Sequence, residues 1–284
     1  MNKLLSKILF KTVIVILPLI LVVIVSNIIL SNNSEEVKND KFKWQLTFED
    51  NFDSFDRSKW QTMFDMNTRT IWSNKELQWY KDENVFADNG VLKIITKKES
   101  IFGKDAESEK QFEFTSGMIN TARTFTQRYG KWEIKVKFPY KKGYWPAFWL
   151  VAKERPGLPE IDVFEYFGRK ENSMSSSLHW GINYPSSEKD NSAPFYYVKS
   201  NEITGDFSDN WMIWSLECFP DKILWKLNDK IVFESTQGIP TGPMYIIANV
   251  AIKAWDENNG EVDRSDDPYV MEIDYIKAYK IIPK

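Results

Sequence analysis

An all-β sandwich or barrel is the fold class this sequence predicts, and three observations carry the prediction. From residue 42 onward the apolar and alternating runs are short and broken by turn residues, the pattern of strands rather than helices. No long amphipathic helical stretch interrupts them. There is no internal repeat or low-complexity tract, so about 240 residues must form one domain, which for so many strands means two large antiparallel sheets.

The first element is not part of that domain. Lys3, Lys7 and Lys11 precede residues 12–34, which carry no charge. The apolar part is long enough to cross a bilayer, and it also fits the basic and apolar regions of a signal peptide. No A-x-A cleavage site follows, which favours an uncleaved anchor over a removed signal for residues 1–30. No cysteine follows either, so a lipid-attached form is excluded. Lysines ahead of an apolar run keep the N-terminus inside and place the remainder outside. Residues 31–41, "SNNSEEVKNDK", are a polar linker, and the domain spans 42–284.

The strands follow in order. "GVLKIITKK" (90–98) is a strand after a turn. In "GKWEIKVKFPY" (130–140), Trp132, Ile134, Val136 and Phe138 alternate with charged residues, as in a half-buried strand. "EIDVFEY" (160–166) is a strand with apolar β-formers between acids. "KILWKLNDKIVFE" (222–234) is a hairpin turning at "LNDK". "PMYIIANVAI" (243–252) and "VMEIDYIKAYKI" (270–281) complete the set.

Composition narrows the chemistry. The net charge is −3, which gives no electrostatic case for nucleic acid. With one cysteine, Cys218, and one histidine, His179, no intrachain disulfide can form and a Cys/His zinc site has too few ligands. A Ser-His-Asp mechanism would rest on His179 alone. Carboxylates must therefore do most of any catalytic work. The 12 tryptophans suit both a sandwich core and a carbohydrate site.

"EIDVFEY" concentrates those carboxylates. Side chains of a strand alternate faces, so Glu160 and Asp162 share a face and Glu165 is out of phase. A β-bulge adds one residue to a strand; placed at Val163-Phe164 it returns Glu165 to the face of the other two. Like charges about 4 Å apart cost about 4 kcal/mol at an effective dielectric near 20, so folding alone has no reason to assemble them. One should hold a proton near neutral pH. A protonated acid beside an ionised one is what glycoside hydrolysis requires. The motif alone also fits an exposed strand with scattered acids, or a Ca²⁺ site of three carboxylates.

The flanks choose among these. "GYWPAFWL" (143–150) followed by "PEIDVFEYFG" resembles the signature of glycoside hydrolase family 16, the family of laminarinases, lichenases, agarases and κ-carrageenases, in its bulged E-x-D-x-x-E form. "WSNKELQWY" (72–80) is similar to the N-x-E-x-Q-x-Y segment of bacterial laminarinases. "FTSGMINT", "YGKWEIKVKFP", "LHWG" and "VMEIDYIKAYK" fall in the family's order, so the resemblance covers roughly residues 44–281. It implies a concanavalin-like β-jelly roll with a glycan cleft on one sheet, Glu160 as nucleophile, Glu165 as acid/base and Asp162 assisting. It also implies sugar contacts from Trp145, Trp149, His179, Asn74, Glu76 and Lys135. Lys135 stands where the family usually has an arginine, and the planar bidentate donor is lost with it. "KAW" at 253–255 replaces a glycine-rich loop of laminarinases. The chemistry needs no cofactor. A structural Ca²⁺ away from the cleft is common in relatives, and Asp274 with the Gly90 carbonyl are its candidates here.

The expectation is an endo-acting retaining β-glycan hydrolase, acting on β-1,3-glucan, monomeric, with its domain outside the cytoplasm. The alternatives are a hydrolase or transglycosylase on lichenan, agar or carrageenan, and a non-catalytic lectin-like module. A lectin would need neither Glu160 nor Glu165, and both are present.

Overall fold

The computed structural model describes residues 42–104, 109–154, 158–181, 196–254 and 262–284. The expected anchor and linker, residues 1–41, and Trp255 of the altered loop lie outside them. The chain divides into two units, Trp44–Ile282 and a smaller one of Met1–Lys43 with Pro283–Lys284. In the smaller, the described residues Phe42, Lys43 and Pro283 have strand conformation. The hydrophobic core and the acids of "EIDVFEY" belong to the larger.

The described residues contain no α-helix, only strands and two short 3-10 turns. Sixteen strands make two sheets. The ten-stranded sheet runs β14 (Lys230–Ser235), β13 (Ile223–Leu227), β12 (Met212–Cys218), β7 (Gly130–Lys137), β16 (Tyr269–Pro283), β4 (Val91–Lys104), β5 (Glu109–Ser116), β2 (Gln78–Tyr80), with β1 (Phe42–Asp50) on β16 and β3 (Val85–Asp88) on β4. The six-stranded sheet runs β11 (Tyr196–Thr204), β10 (Ser173–Gly181), β9 (Glu160–Glu165), β8 (Tyr144–Ala152), β15 (Met244–Ile252), β6 (Met118–Asn120). This is the concanavalin-like β-jelly roll. Among the described pairs, β2 on β5 is parallel, and the strands of the six-stranded sheet are all antiparallel.

Alternation decides which side chains face inward. On β7, Trp132, Ile134 and Val136 are buried while Lys131, Glu133, Lys135 and Lys137 are not. The hairpin β13–β14 turns at Asn228 and Asp229, both with positive φ, the backbone that a two-residue I′ turn demands and Asn and Asp tolerate. The two sheets meet through aromatic rings: Phe164 of β9 lies 5.6 Å from Trp214 of β12 and 5.7 Å from Phe138. Trp225 of β13 donates its indole N–H to the carbonyl of Asp162 at 2.9 Å. Phe164 is fully buried, so truncating it to alanine should cost about 3–5 kcal/mol.

Candidate active site

The acids sit on β9, the middle of the six-stranded sheet, where an irregularity sets their phase. Against β8, Phe164 pairs with Phe148, but the next pair is Asp162 with Trp149. Against β10, Glu165 pairs with Ser175 and Asp162 with Ser177. Against β8 Val163 is the extra residue of a β-bulge, and against β10 Val163 and Phe164 together face the single residue Ser176. The hydroxyl of Ser176 donates to the Val163 carbonyl at 2.8 Å, satisfying a buried backbone group that the ladder leaves out. Two consecutive apolar side chains, Val163 and Phe164, thereby join Ile161 in the core. Glu165 is returned to the face of Glu160 and Asp162.

That face has ordered neighbours. Glu160 is flanked by His179 of β10 and Val151 of β8, Asp162 by Ser177 and Trp149, Glu165 by Ser175 and Ala147. Glu160 is partly exposed, whereas Asp162 and Glu165 are 4% and 9% exposed. His179 Nε2 lies 3.2 Å from Asp162 Oδ2, and Ser177 Oγ lies 3.3 Å from Glu165 Oε2 as its hydrogen-bond donor. Burial pushes the Asp162 carboxyl up to about 7. Burial and then the Asp162 charge raise Glu165 well above its usual value; His179 opposes them, the Glu160 charge adds a smaller rise, and the Ser177 hydrogen bond lowers it least. Proton sharing therefore relieves the crowded charges, and burial favours the protonated form of Glu165. Glu160, Asp162 and His179 also place one ligand atom each within 4.8 Å of one another, so a divalent cation would compete for the same groups.

The other expected residues separate into three groups. Trp145 and Trp149, both partly exposed, occupy the same face of β8 as Ala147 and Val151. The Trp145 ring lies 5.2 Å from that of Phe167. Trp149 donates its indole N–H to Asn249 Oδ1 at 2.8 Å, and Asn249 Nδ2 donates to the Tyr80 hydroxyl at 2.9 Å. Asn74 and Glu76 belong to the support of that wall. Glu76 is 2% exposed and accepts hydrogen bonds from the Ile71 N–H (3.0 Å), Asn74 Nδ2 (3.1 Å) and Gln78 Nε2 (2.6 Å). Burial raises its pKa despite these and the nearby Lys253 charge. A carboxylate so enclosed serves its own chain, not a sugar, and the expectation that Glu76 contacts glycan is corrected on that ground. Gln78 accepts the Ile252 N–H at 2.7 Å, tying this segment to the end of β15.

Lys135 is the second correction. It lies on β7 of the ten-stranded sheet, on the outward face, and its ammonium pairs with Asp274 at 2.6 Å. It takes no part in the face that carries the acids. The same pair bears on calcium. Asp274, the expected ligand, already has an ammonium on its carboxylate, and Asp50 near the N-terminus spends both oxygens on Phe52 N–H and Trp60 Nε1. These residues do not fit a calcium site as they stand. Sequence reasoning misses Ser177, Asn249, Gln78 and Tyr80. Ser177 had a signal, since "SMSSSLHWG" places it two residues before His179 on the same strand face.

With this geometry in hand, comparisons with known proteins are informative. The family model for glycosyl hydrolases family 16 matches residues 64–277. A glucan endo-1,3-beta-glucosidase of Niallia circulans is 28% identical over 263 residues, covering 84% of this chain and 37% of that protein. An endo-1,3-1,4-beta-glycanase of Rhizobium meliloti (strain 1021) is 31% identical over 223 residues, 75% of this chain and 45% of that protein. The chain thus spans less than half the length of these curated relatives. Among solved structures, the catalytic domain of an endo-1,3-beta-glucanase (laminarinase) from Thermotoga petrophila RKU-1 superposes with a TM-score of 0.68 at 28% identity, covering 84% of this chain and 98% of that one.

Proposed function

The chain belongs to glycosyl hydrolases family 16, and from that premise we propose that it is an endo-acting, retaining hydrolase of β-1,3-glucan. The observation that carries the reading is the bulge at Val163, which brings Glu165 onto the face of Glu160 in a buried setting that favours its protonated form. The similarity to proteins named endo-1,3-beta-glucanase and glucan endo-1,3-beta-glucosidase supports the choice of glycan.

In this reading Glu160 attacks the anomeric carbon while Glu165 gives its proton to the departing glycosidic oxygen. An ester joins the sugar to Glu160. Esterification removes the negative charge that helps hold the Glu165 proton, so Glu165 is left ionised and ready to take a proton from water. Water then attacks the anomeric carbon, and Glu160 departs as a carboxylate. Asp162, with His179 against it, steadies the charge of the pair. Trp145 and Trp149 offer ring surface to the sugar.

The test is product analysis with the full-length chain on laminarin, lichenan and agarose, following the first-formed anomer by NMR. The expected result is internal cleavage of laminarin with β-anomeric products appearing first. Cleavage of lichenan or agarose with laminarin untouched would overturn the glycan assignment, and α-products first would overturn retention. The reading also makes the protein a monomer whose domain faces outward from the cell, through residues 1–30.

A further inference from the structure

The outward face of the ten-stranded sheet carries a groove of about 490 Å³, on the opposite side of the core from the acids. One row of paired residues crosses it. Phe86 of β3 pairs with Lys93 of β4, Lys93 with Glu272 of β16, and Glu272 with Lys137 of β7. The Lys137 ammonium lies 5.3 Å from the ring centre of Trp211, the residue before β12, and Lys135 approaches that ring equally closely. Phe86 and Trp211 are 38% and 40% exposed. Ile95, Val270, Pro139, Pro268, Asp88 and Asp209 also line the groove, with Ile95 of β4 paired with Val270 of β16.

We propose that this groove is a second, non-catalytic binding site for a neutral β-glucan chain lying across the strands from Phe86 to Trp211. Four inter-strand steps of about 4.8 Å put the two rings about 19 Å apart, a span of several hexopyranose rings. Sugar rings present C–H faces, which aromatic and proline surfaces cover, and hydroxyls, which need donors and acceptors. The charged row supplies both. Lys93 is paired with Asp88 at 2.7 Å and Lys137 with Glu272 at 2.6 Å, so each carboxylate keeps acceptor sites and each ammonium keeps N–H donors. The pairs cancel in charge, leaving no field to recruit a polyanion, which favours a neutral glycan over a sulfated one or a nucleic acid. A chain held here is out of reach of Glu160. The site would act by keeping the enzyme on its polymer, as a second contact raises effective concentration.

The choice of glycan rests on the proposed function, and the test separates the two. Full-length protein carrying Glu160→Gln, which spares the polymer, is run in gels containing laminarin or lichenan. Phe86→Ala/Trp211→Ala is compared with Val270→Asp, which charges the groove floor and touches neither ring. Both should weaken retardation by about tenfold. In the otherwise wild-type chain, both should leave kcat and KM on laminaritetraose within about twofold of the parent, which also certifies the fold. Equal retardation of parent and variants, or no retardation of the parent by either glucan, overturns the groove. If laminarin is cut while the variants bind as tightly as the parent, the groove fails and the catalytic reading stands. If nothing is cut, yet retardation occurs and both variants lose it, the groove stands and the catalytic reading fails.

Discussion

Glu160, Asp162 and Glu165 are chemically alike and differ only in burial and neighbours, which is what lets them take different roles. Replacing Glu160 by Gln should abolish hydrolysis, since an amide cannot form the glycosyl ester. Glu165→Ala should lose polysaccharide cleavage yet still react with an activated aryl glycoside, whose leaving group needs no proton. Azide should then restore turnover and give a β-glycosyl azide. An α-azide, or no rescue, would reverse or remove the assigned roles. Asp162 makes a separate prediction about stability. Its folded carboxyl is raised to about 7 by burial, against about 3.9 for an unperturbed aspartate. Between those values the folded state binds more protons than the unfolded one, so stability falls as pH rises. Below the unfolded pKa the penalty vanishes. Asp162→Asn should therefore melt higher than the parent at pH 8, by an amount on the order of a few kcal/mol, with the difference closing near pH 4. A constant difference from pH 4 to 8 would show that the Asp162 carboxyl does not titrate in the folded protein as described.

Strand β9 shows what was legible in the sequence and what was not. The period-two pattern exposed the phase problem of Glu165 and located the bulge at Val163-Phe164, whereas the entry of both side chains into the core came from the structure. The same reasoning marked Lys135 as an outward residue of an alternating strand, but alternation does not say which of two sheets a strand joins. Its pairing partner Asp274 is 139 positions away in the chain. Glu76 escapes sequence reasoning for a related reason: whether an acid is consumed by Ile71, Asn74 and Gln78 depends on how a loop closes, and no spacing rule encodes that. The bulge can be tested as an element. Deleting Val163 leaves Glu160, Asp162 and Glu165 in simple alternation with Ile161 and Phe164 inward. It should keep measurable glycan cleavage, at a stability cost of about 2–3 kcal/mol for the lost buried side chain. Inserting one alanine after Val163 instead leaves three residues between Asp162 and Glu165; regular alternation then keeps Val163 and Phe164 inward with the alanine outward, but carries Glu165 about two residue rises, roughly 7 Å, farther from Asp162 along the strand. That variant should be inactive even where it folds. Equal loss in both variants would mean that the spacing of the acids along their shared face is not what the bulge sets.

At the scale of the whole molecule, the N-terminal charge pattern and the proposed activity lead to the same proposal, a domain outside the cytoplasm. A β-glucan is too large to cross a membrane, so the proposed function needs the domain outside, and the placement of Lys3, Lys7 and Lys11 ahead of an uncharged run leads to the same proposal. The domain is built to allow a clean measurement of this. Its single cysteine, Cys218, is fully buried, and burial holds its thiol up at about 12, so it should not react with a membrane-impermeant maleimide. Asp266 lies on the surface with its side chain 92% exposed, and its one ion pair among the described residues, with Lys98 at 3.2 Å, is solvent-facing and worth at most about 1 kcal/mol. Asp266→Cys should therefore fold and present a reactive thiol. In intact cells making the full-length variant, the maleimide should label it whether the segment stays as an anchor or is removed. The parent chain should stay unlabelled under the same conditions. In the anchored form the label should pellet with membranes, and in the cleaved form it should appear on a chain shorter by about the length of an apolar helix. Labelling of Asp266→Cys only after lysis would place the domain inside and remove the extracellular polysaccharide from its reach.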